Sequence, residues 1–187
     1  MVYSRLFFVF LPIPFAITTE ILVHYYGQKA YISYHIYNAL ELTFTSVYFV
    51  RFVNSGNWLK IGIGLGLCWM TLALLNLFLF QSGNRLNSYF LILESFTVIA
   101  LAIYALFRLF LDDFMKSLWS NLDFWIWALQ LFFWSSTLFY WAFIELIPNT
   151  KVTYYDAINH FQAMANIIFY IGLSYVFVRY KRIGYEY

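Results

Sequence analysis

Six long hydrophobic runs occupy almost the whole 187-residue chain, and short polar segments separate them. The runs cover approximately residues 4–26, 31–52, 58–80, 88–110, 122–147 and 154–179. A bilayer core about 30 Å thick requires about 20 residues of α-helix for one crossing, so each run is long enough to span a membrane. The pattern predicts an all-α fold, a polytopic membrane helix bundle of about six transmembrane helices that forms a single domain over residues 1–187.

The amino-acid composition excludes an ordinary soluble domain. Hydrophobic residues make up 63% of the chain and charged residues only 11%, whereas soluble domains carry about 25% charged residues. Most of the surface must therefore contact lipid, and we predict membrane lipid as a partner. The net charge of +2 is spread over the ends of the runs. Because nucleic-acid-binding proteins concentrate their basic residues in one patch, the sequence predicts no nucleic-acid partner.

Lysine and arginine are distributed unevenly between the two ends of the runs. Eight lie on the side of the N-terminus, and three, at Lys29, Arg85 and Lys151, lie on the opposite side. Cytoplasmic flanks of transmembrane helices retain basic residues. The sequence therefore predicts that both termini are cytoplasmic and that the protein resides in the inner (plasma) membrane. The eight residues on the N-terminal side are Arg5, Arg51, Lys60, Arg108, Lys116, Arg179, Lys181 and Arg182.

Prolines and glycines predict local features of two runs. Pro12 and Pro14 lie in the first run, where they are expected to kink the helix or delay its regular start. In the third run, Gly62 and Gly66 are four residues apart. Small residues at this spacing share one helix face and allow another helix to approach closely in lipid. We therefore predict a packing role for these two glycines.

Histidine and acidic side chains interrupt five of the six runs, all but the third. A charged group inside a transmembrane helix costs ~2.5–3.5 kcal/mol on insertion scales, so it is expected to face a partner or a wet cavity. With both termini inside, nearly all of these side chains fall in the outer half of the bilayer. The sequence therefore predicts a ligand-binding pocket that opens to the extracytoplasmic side. The candidate ligand-binding residues are Glu20, His24, His35, Asn38, Glu41, Glu94, Glu145, Asp156, Asn159, His160 and Asn166.

Structural explanations compete with a binding role for these residues. His24 and Asp156 lie close to the ends of their runs, where side chains can reach interfacial water. Glu41 and Glu94 lie deeper. Their alternative role is that of a carboxyl group which pairs with a histidine or an asparagine and holds two helices together.

Metal and nucleophile chemistry have little support in the sequence. Histidine and carboxylate can bind zinc or iron, but each of the three histidines lies in a different run and no H-x-x-x-H or E-x-x-H pair is present. The single cysteine, Cys68, allows neither an intramolecular disulfide nor a cysteine-based metal site. No G-x-S-x-G motif marks a nucleophilic serine. We predict no metal and no cofactor, and no residue is assigned a catalytic role.

Three short motifs lie in the second, fourth and sixth runs. They are the segment 34–41 (YHIYNALE), Asn87-Ser88-Tyr89 followed by Glu94, and Asn159-His160 followed by Asn166. Together they resemble a group of uncharacterised small multi-pass membrane proteins of Bacteroidetes bacteria, and the resemblance extends over nearly the whole chain. It implies a sensory or accessory membrane module, in some cases associated with signalling kinases.

Two functions from different classes are open at this point. The first is a receptor-like or accessory subunit that binds a small ligand, a lipid or a partner helix in the outer-half pocket, with a partner membrane protein or a second copy of the chain as its associate. The second is an intramembrane enzyme that acts on a lipid or lipid-linked substrate, with or without a metal ion. Glu41, Glu94 or His160 would be its general base.

Overall fold

The computed structural model describes residues 3–53, 56–83, 87–112, 118–146 and 152–183. These residues form seven α-helices, and this part of the chain contains no β-strand. The all-α fold predicted from the sequence is therefore confirmed. The helices are α1 (Tyr3–Phe10), α2 (Pro12–Tyr26), α3 (Ile32–Val53), α4 (Trp58–Leu75), α5 (Ser88–Asp112), α6 (Leu122–Leu146) and α7 (Val152–Ile183).

Four helical segments of the described chain are long and apolar enough to cross a membrane. They are Phe7–Tyr26, Trp58–Phe80, Ser88–Leu111 and Asp156–Arg179. The other two long helices, α3 and α6, have 22 and 25 residues, which is also sufficient for one crossing, but they contain more polar and aromatic side chains. The structure thus fits a helical membrane protein. The count of six crossings and the cytoplasmic termini stay predictions.

The chain forms two compact units, residues 1–94 and 95–187, with the boundary inside α5. In the first unit, α3 packs against α1, α2 and α4. This central position explains why α3 is the least apolar of the long helices of that unit, since neighbouring helices cover sides that would otherwise face lipid. In the second unit, α6 packs against α7. The prediction of a single transmembrane domain remains a prediction.

The first hydrophobic run is interrupted at Leu11, between α1 and α2. Leu11 keeps helical backbone angles, with φ −59° and ψ −35°, and its N–H donates to the Phe7 carbonyl oxygen at 2.9 Å. Pro12 has no N–H with which to continue this pattern. The predicted effect of the prolines is therefore confirmed as a local break in an otherwise continuous helical path.

Two glycines allow α4 to lie close against α3. A Cβ added to Gly62 would lie 2.9 Å from Val47 Cγ2, and one added to Gly66 would lie 2.8 Å from Thr43 Cγ2. The indole N–H of Trp69 continues this contact and donates to the Ser46 hydroxyl at 2.9 Å. The predicted packing role of the two glycines is confirmed.

Aromatic and charged residues mark opposite ends of the first unit. The Arg51 guanidinium, near the end of α3, lies 4.8 Å from the centre of the Trp58 ring, where α4 begins. At the other end of α3, the Tyr34 hydroxyl donates to the Glu20 carboxylate of α2 at 2.9 Å. These contacts place α3 antiparallel to both α2 and α4.

A ladder of contacts joins α6 and α7 in the second unit. Moving along α6, Leu129 lies beside Gly172, and the Phe133 ring stacks on the Phe169 ring at 4.4 Å. Two hydrogen bonds continue the ladder, because Thr137 accepts from Gln162 at 3.1 Å and the Tyr140 hydroxyl donates to Asn159 at 2.9 Å. Residue numbers rise on α6 while they fall on α7, so the two helices are antiparallel.

Candidate functional site

One face of α3 carries three of the predicted site residues. His35, Asn38 and Glu41 follow one another at three-residue intervals, and an α-helix turns by about 100° per residue, so all three fall within about a third of its circumference. His35 and Asn38 are buried, with 3% and 2% of their surface exposed, whereas Glu41 is half-buried. The Tyr37 side chain forms a hydrogen bond with the Glu41 carboxyl group.

Glu94 of α5 completes this site within the first unit. Its side chain has no exposed surface, and it lies near enough to Glu41 for the two carboxyl groups to influence each other electrostatically. Neither Glu94 carboxyl oxygen has a hydrogen-bond partner in the described structure. Nearly all buried polar groups in proteins are hydrogen-bonded, so this carboxyl group requires an explanation. We refer to His35, Asn38, Glu41 and Glu94 as the polar cluster.

The sequence offers the polar cluster no lysine or arginine at its own depth. No lysine or arginine occurs in segments 30–50, 61–84 or 86–107, which contain most of α3, α4 and α5. Two neighbouring carboxylates in a low-dielectric interior repel each other and lose their hydration. Such a pair is stabilised either by a proton or by a cation, and these segments supply no lysine or arginine that could be the cation.

Asn38 adds a second unsatisfied group. Its side-chain nitrogen is buried and has no hydrogen-bond acceptor in the described structure. Asn38 precedes Glu41 by three residues, a separation of about 4.5 Å along the helix axis. An amide N–H₂ that lacks an acceptor thus lies about one helical turn from Glu41, whose neighbour Glu94 has no donor for either carboxyl oxygen in the described structure. A ligand with both kinds of group would satisfy both.

A buried amide network lies where α4 leads into α5. Asn76 begins a π-helical turn that extends α4 to Phe80, and its side-chain nitrogen donates to Asn87 Oδ1 at 2.6 Å. Gln81 donates to the Ser88 hydroxyl at 2.8 Å and accepts from the Tyr89 backbone N–H at 3.1 Å. These contacts fix the start of α5, and hence the position of Glu94 two turns later.

Sequence reasoning missed Asn76 and left Gln81 in the polar segment between the third and fourth runs. Both side chains are instead buried, with 7% and 8% of their surface exposed. The cause is the π-helical turn, which folds Gln81 back toward Asn76 through a backbone hydrogen bond of 2.8 Å. The available signal was a cluster of three amide residues, Asn76, Gln81 and Asn87, around one connection.

Two candidates on α2 lie outside the buried group. Glu20 and His24 are both exposed. Glu20 accepts the hydrogen bond from Tyr34, and the His24 ring lies edge-on to the Tyr25 ring at 5.4 Å. Glu20 therefore fits a connection between α2 and α3.

The remaining candidates belong to the second unit. Asp156 and His160 are exposed, and Asn159 and Asn166 are half-buried. His160 Nδ1 lies 2.6 Å from the Asp156 carbonyl oxygen, while Asn159 accepts from Tyr140. The Glu145 side chain lies outside the described part of the structure. The predicted assembly of all eleven candidates into one pocket stays a prediction.

Metal binding finds no support in the described residues. Within them, no three side chains of histidine, cysteine, aspartate or glutamate are grouped so that they could hold a metal ion. A metal-dependent form of the intramembrane enzyme hypothesis therefore has no ligand set in this part of the chain.

Comparisons with protein-family models, curated proteins and solved structures find no match to this chain. The resemblance to small multi-pass Bacteroidetes proteins stays a prediction. The polar cluster is therefore the basis for inferring a function.

Proposed function

We propose that this protein is a receptor-like or accessory subunit of the inner membrane that binds a small ligand, a lipid or a partner helix at the polar cluster. The observation that carries the proposal is Glu94, which is fully buried and has no hydrogen-bond partner for either carboxyl oxygen in the described structure. Leaving such a group unsatisfied costs ~1–3 kcal/mol, and more when it is charged. A bound partner that donates to Glu94 would offset this cost.

The competing structural role for Glu94 is that of a carboxyl group which holds two helices together. Such a role requires a hydrogen-bond donor on the neighbouring helix. The Gln162–Thr137 pair of α6 and α7 shows how this chain makes such a contact, with a donor–acceptor distance of 3.1 Å. Glu94 has no equivalent contact in the described structure, so its environment favours binding over helix attachment.

The proposal includes six membrane crossings with both termini in the cytoplasm. On this view α3 and α6 cross the bilayer together with the four apolar segments. The covered position of α3 among α1, α2 and α4 supports its crossing despite its polar residues. The polar cluster then lies in the outer half of the bilayer, because His35, Asn38 and Glu41 occupy the first half of an inward-running α3.

The proposed mechanism is electrostatic. Ligand entry would change the charge balance between Glu41 and Glu94 and the hydrogen bond from Tyr37 to Glu41. Because α3 contacts three other helices of its unit, a small shift of α3 would be transmitted to them. Such coupling requires that the ligand bind one arrangement of the helices more tightly than another.

The test compares molecules that co-purify with the protein from native membranes in mild detergent. We would purify wild type, Glu41→Gln, Glu94→Gln and the exposed-site control Glu20→Gln, and identify bound lipids, small molecules and proteins by mass spectrometry. At least one species should be lost from both cluster variants and retained by Glu20→Gln, while all four elute as folded protein in gel filtration. An identical set of bound species in all four proteins would contradict the proposal.

A further inference from the structure

We infer that the polar cluster recognises a protonated amine with a neighbouring oxygen atom, the chemistry of a 2-amino alcohol such as ethanolamine, either free or as a lipid headgroup. This inference rests on the proposed function and names the ligand class of the same site. It follows from three features of the described residues: the carboxyl pair, the Asn38 amide and the unequal exposure of Glu41 and Glu94.

The carboxyl pair favours a positively charged ligand. Glu41 and Glu94 interact electrostatically, and no lysine or arginine occurs in the surrounding parts of α3, α4 and α5. A primary ammonium group carries one positive charge and three N–H donors. It can therefore donate to oxygens of both carboxyl groups at once, and such charge-assisted hydrogen bonds are stronger than neutral ones.

Glu94 needs hydrogen-bond donors, and this need favours a primary amine over other cations. Neither oxygen of Glu94 has a donor in the described structure, and a quaternary ammonium group has no N–H with which to supply one. Hard metal cations such as Ca²⁺ bind six to eight oxygen ligands. The described residues contain no group of three acidic, histidine or cysteine side chains that could hold a metal.

Asn38 indicates that the ligand also carries an oxygen atom that accepts a hydrogen bond. Its buried side-chain nitrogen lacks an acceptor in the described structure and lies about 4.5 Å from the level of Glu41 along α3. A simple alkyl amine would leave this donor unsatisfied. A hydroxyl or ester oxygen two carbons from the ammonium would accept its hydrogen bond, which favours an amino alcohol.

The exposure of the two glutamates indicates the direction of entry. Glu41 is half-buried, whereas Glu94 has no exposed surface. The ammonium group therefore meets Glu41 first and reaches Glu94 on the inner side of the site. Tyr37, about one turn before Glu41 on α3, forms a hydrogen bond with that carboxyl group and would hold it until the ligand arrives.

The experiment offers the ammonium group in two forms, as a free amine and as a lipid headgroup. For the free amine, thermal unfolding of the purified protein would be followed with ethanolamine, with ethylamine, which lacks the hydroxyl group, and with choline, the quaternary analogue. For the lipid headgroup, the protein would be placed in nanodiscs containing phosphatidylethanolamine or phosphatidylcholine, and retained lipids would be counted by native mass spectrometry. The proteins would be wild type, Glu94→Gln, Asn38→Ala and the control Glu20→Gln.

The expected result is selective binding of the primary amine by wild type and Glu20→Gln, from at least one source. Glu94→Gln should bind about tenfold to hundredfold more weakly, because it removes a charged hydrogen-bond partner. Asn38→Ala should lose the preference for ethanolamine over ethylamine. Stabilisation by free ethanolamine alone would identify a soluble ligand, and retention of phosphatidylethanolamine alone would identify a lipid; either outcome supports the inference.

Equal responses to ethanolamine and choline, or undiminished amine binding by Glu94→Gln, would overturn the inference. Failure of the inference can be distinguished from failure of the proposed function. If native membranes yield a different bound species that Glu94→Gln loses, the amine inference is wrong and the binding function stands. If Glu94→Gln loses no species at all, both are wrong.

Discussion

Gly66 of α4 lies so close to Thr43 of α3 that a Cβ atom added to the glycine would be 2.8 Å from the Thr43 Cγ2 methyl group. This methyl group cannot easily rotate away, because the Thr43 hydroxyl donates to the Ala39 carbonyl oxygen at 2.7 Å. Gly64, on the same helix, has no atom within 4 Å of the corresponding position. The two glycines therefore form a matched pair for testing the α3–α4 contact.

Gly66→Ala should destabilise the protein by ~1–3 kcal/mol, the usual cost of overpacking a tight contact. Gly64→Ala should be neutral or slightly stabilising, because alanine favours the helix by up to ~1 kcal/mol relative to glycine. Equilibrium unfolding of both variants in mixed detergent micelles measures the difference. Equal stability of the two variants would contradict the described packing of α3 against α4.

The contact between Gly172 and Leu129 predicts a coupled pair in the second unit. A Cβ added to Gly172 would lie 2.5 Å from Leu129 Cδ2 and 3.3 Å from its Cγ, so Gly172→Ala should be destabilising. Leu129→Ala in the same chain should remove the clash. A double-mutant cycle of unfolding free energies is expected to give a coupling of ~0.5–3 kcal/mol. Additive effects would show that α6 and α7 do not meet at this position.

The amide network predicts a specific weakness at the start of α5. Asn76→Ala removes a donor to Asn87 and should cost ~1–3 kcal/mol, because buried acceptors are left unsatisfied. Hydrogen exchange should become faster at the first residues of α5. Ser82→Ala, at an exposed position of the same connection, is the control. If both variants exchange at the wild-type rate, the network does not fix the helix start.

The positions of the helices could be predicted because they depend on local features of the sequence. These features are the lengths of the apolar runs and helix breakers such as Pro12. The break at Leu11 and the packing of Gly62 and Gly66 could be predicted in the same way. The interior position of α3 could not be predicted, because it depends on contacts with three other helices. Its polar residues indicated only that some partner must cover it.

The candidate site was predicted less completely than the fold. Helical periodicity correctly put His35, Asn38 and Glu41 on one face of α3, but it could not show which acidic residue of another helix would approach them. Glu94 was one of several candidates until its interaction with Glu41 was known. The exposed positions of Glu20 and His24 depend on the rotation of α2, which a helix with apolar residues on all sides does not reveal.

The predicted topology can be tested with reporter fusions. A reporter that is active only in the cytoplasm should work when it is fused after Tyr187, and a reporter that requires the periplasm should work when it is inserted at Gly83. Insertion of the cytoplasmic reporter at Gly56, between α3 and α4, is the matched control on the inner side. A periplasmic signal after Tyr187 would mean that a crossing has been miscounted or that the distribution of lysine and arginine does not set the orientation. The outer-half location of the polar cluster would then be withdrawn.

If Glu94 serves binding rather than stability, its carboxyl group should weaken the fold when no ligand is present. Glu94→Gln removes one of two adjacent carboxyl groups and gives the site a side-chain donor that can reach Glu41. In ligand-depleted protein, this substitution should therefore raise the free energy of unfolding by ~1–3 kcal/mol.

The measurement is thermal unfolding of delipidated wild type, Glu94→Gln and Glu20→Gln. We expect a midpoint several degrees higher for Glu94→Gln, since ~1 kcal/mol corresponds to about 2–4 °C for a chain of this size, and little change for Glu20→Gln. A lower midpoint for Glu94→Gln than for wild type would show that the buried carboxyl group stabilises the fold through a structural partner, and it would contradict the binding role assigned to the polar cluster.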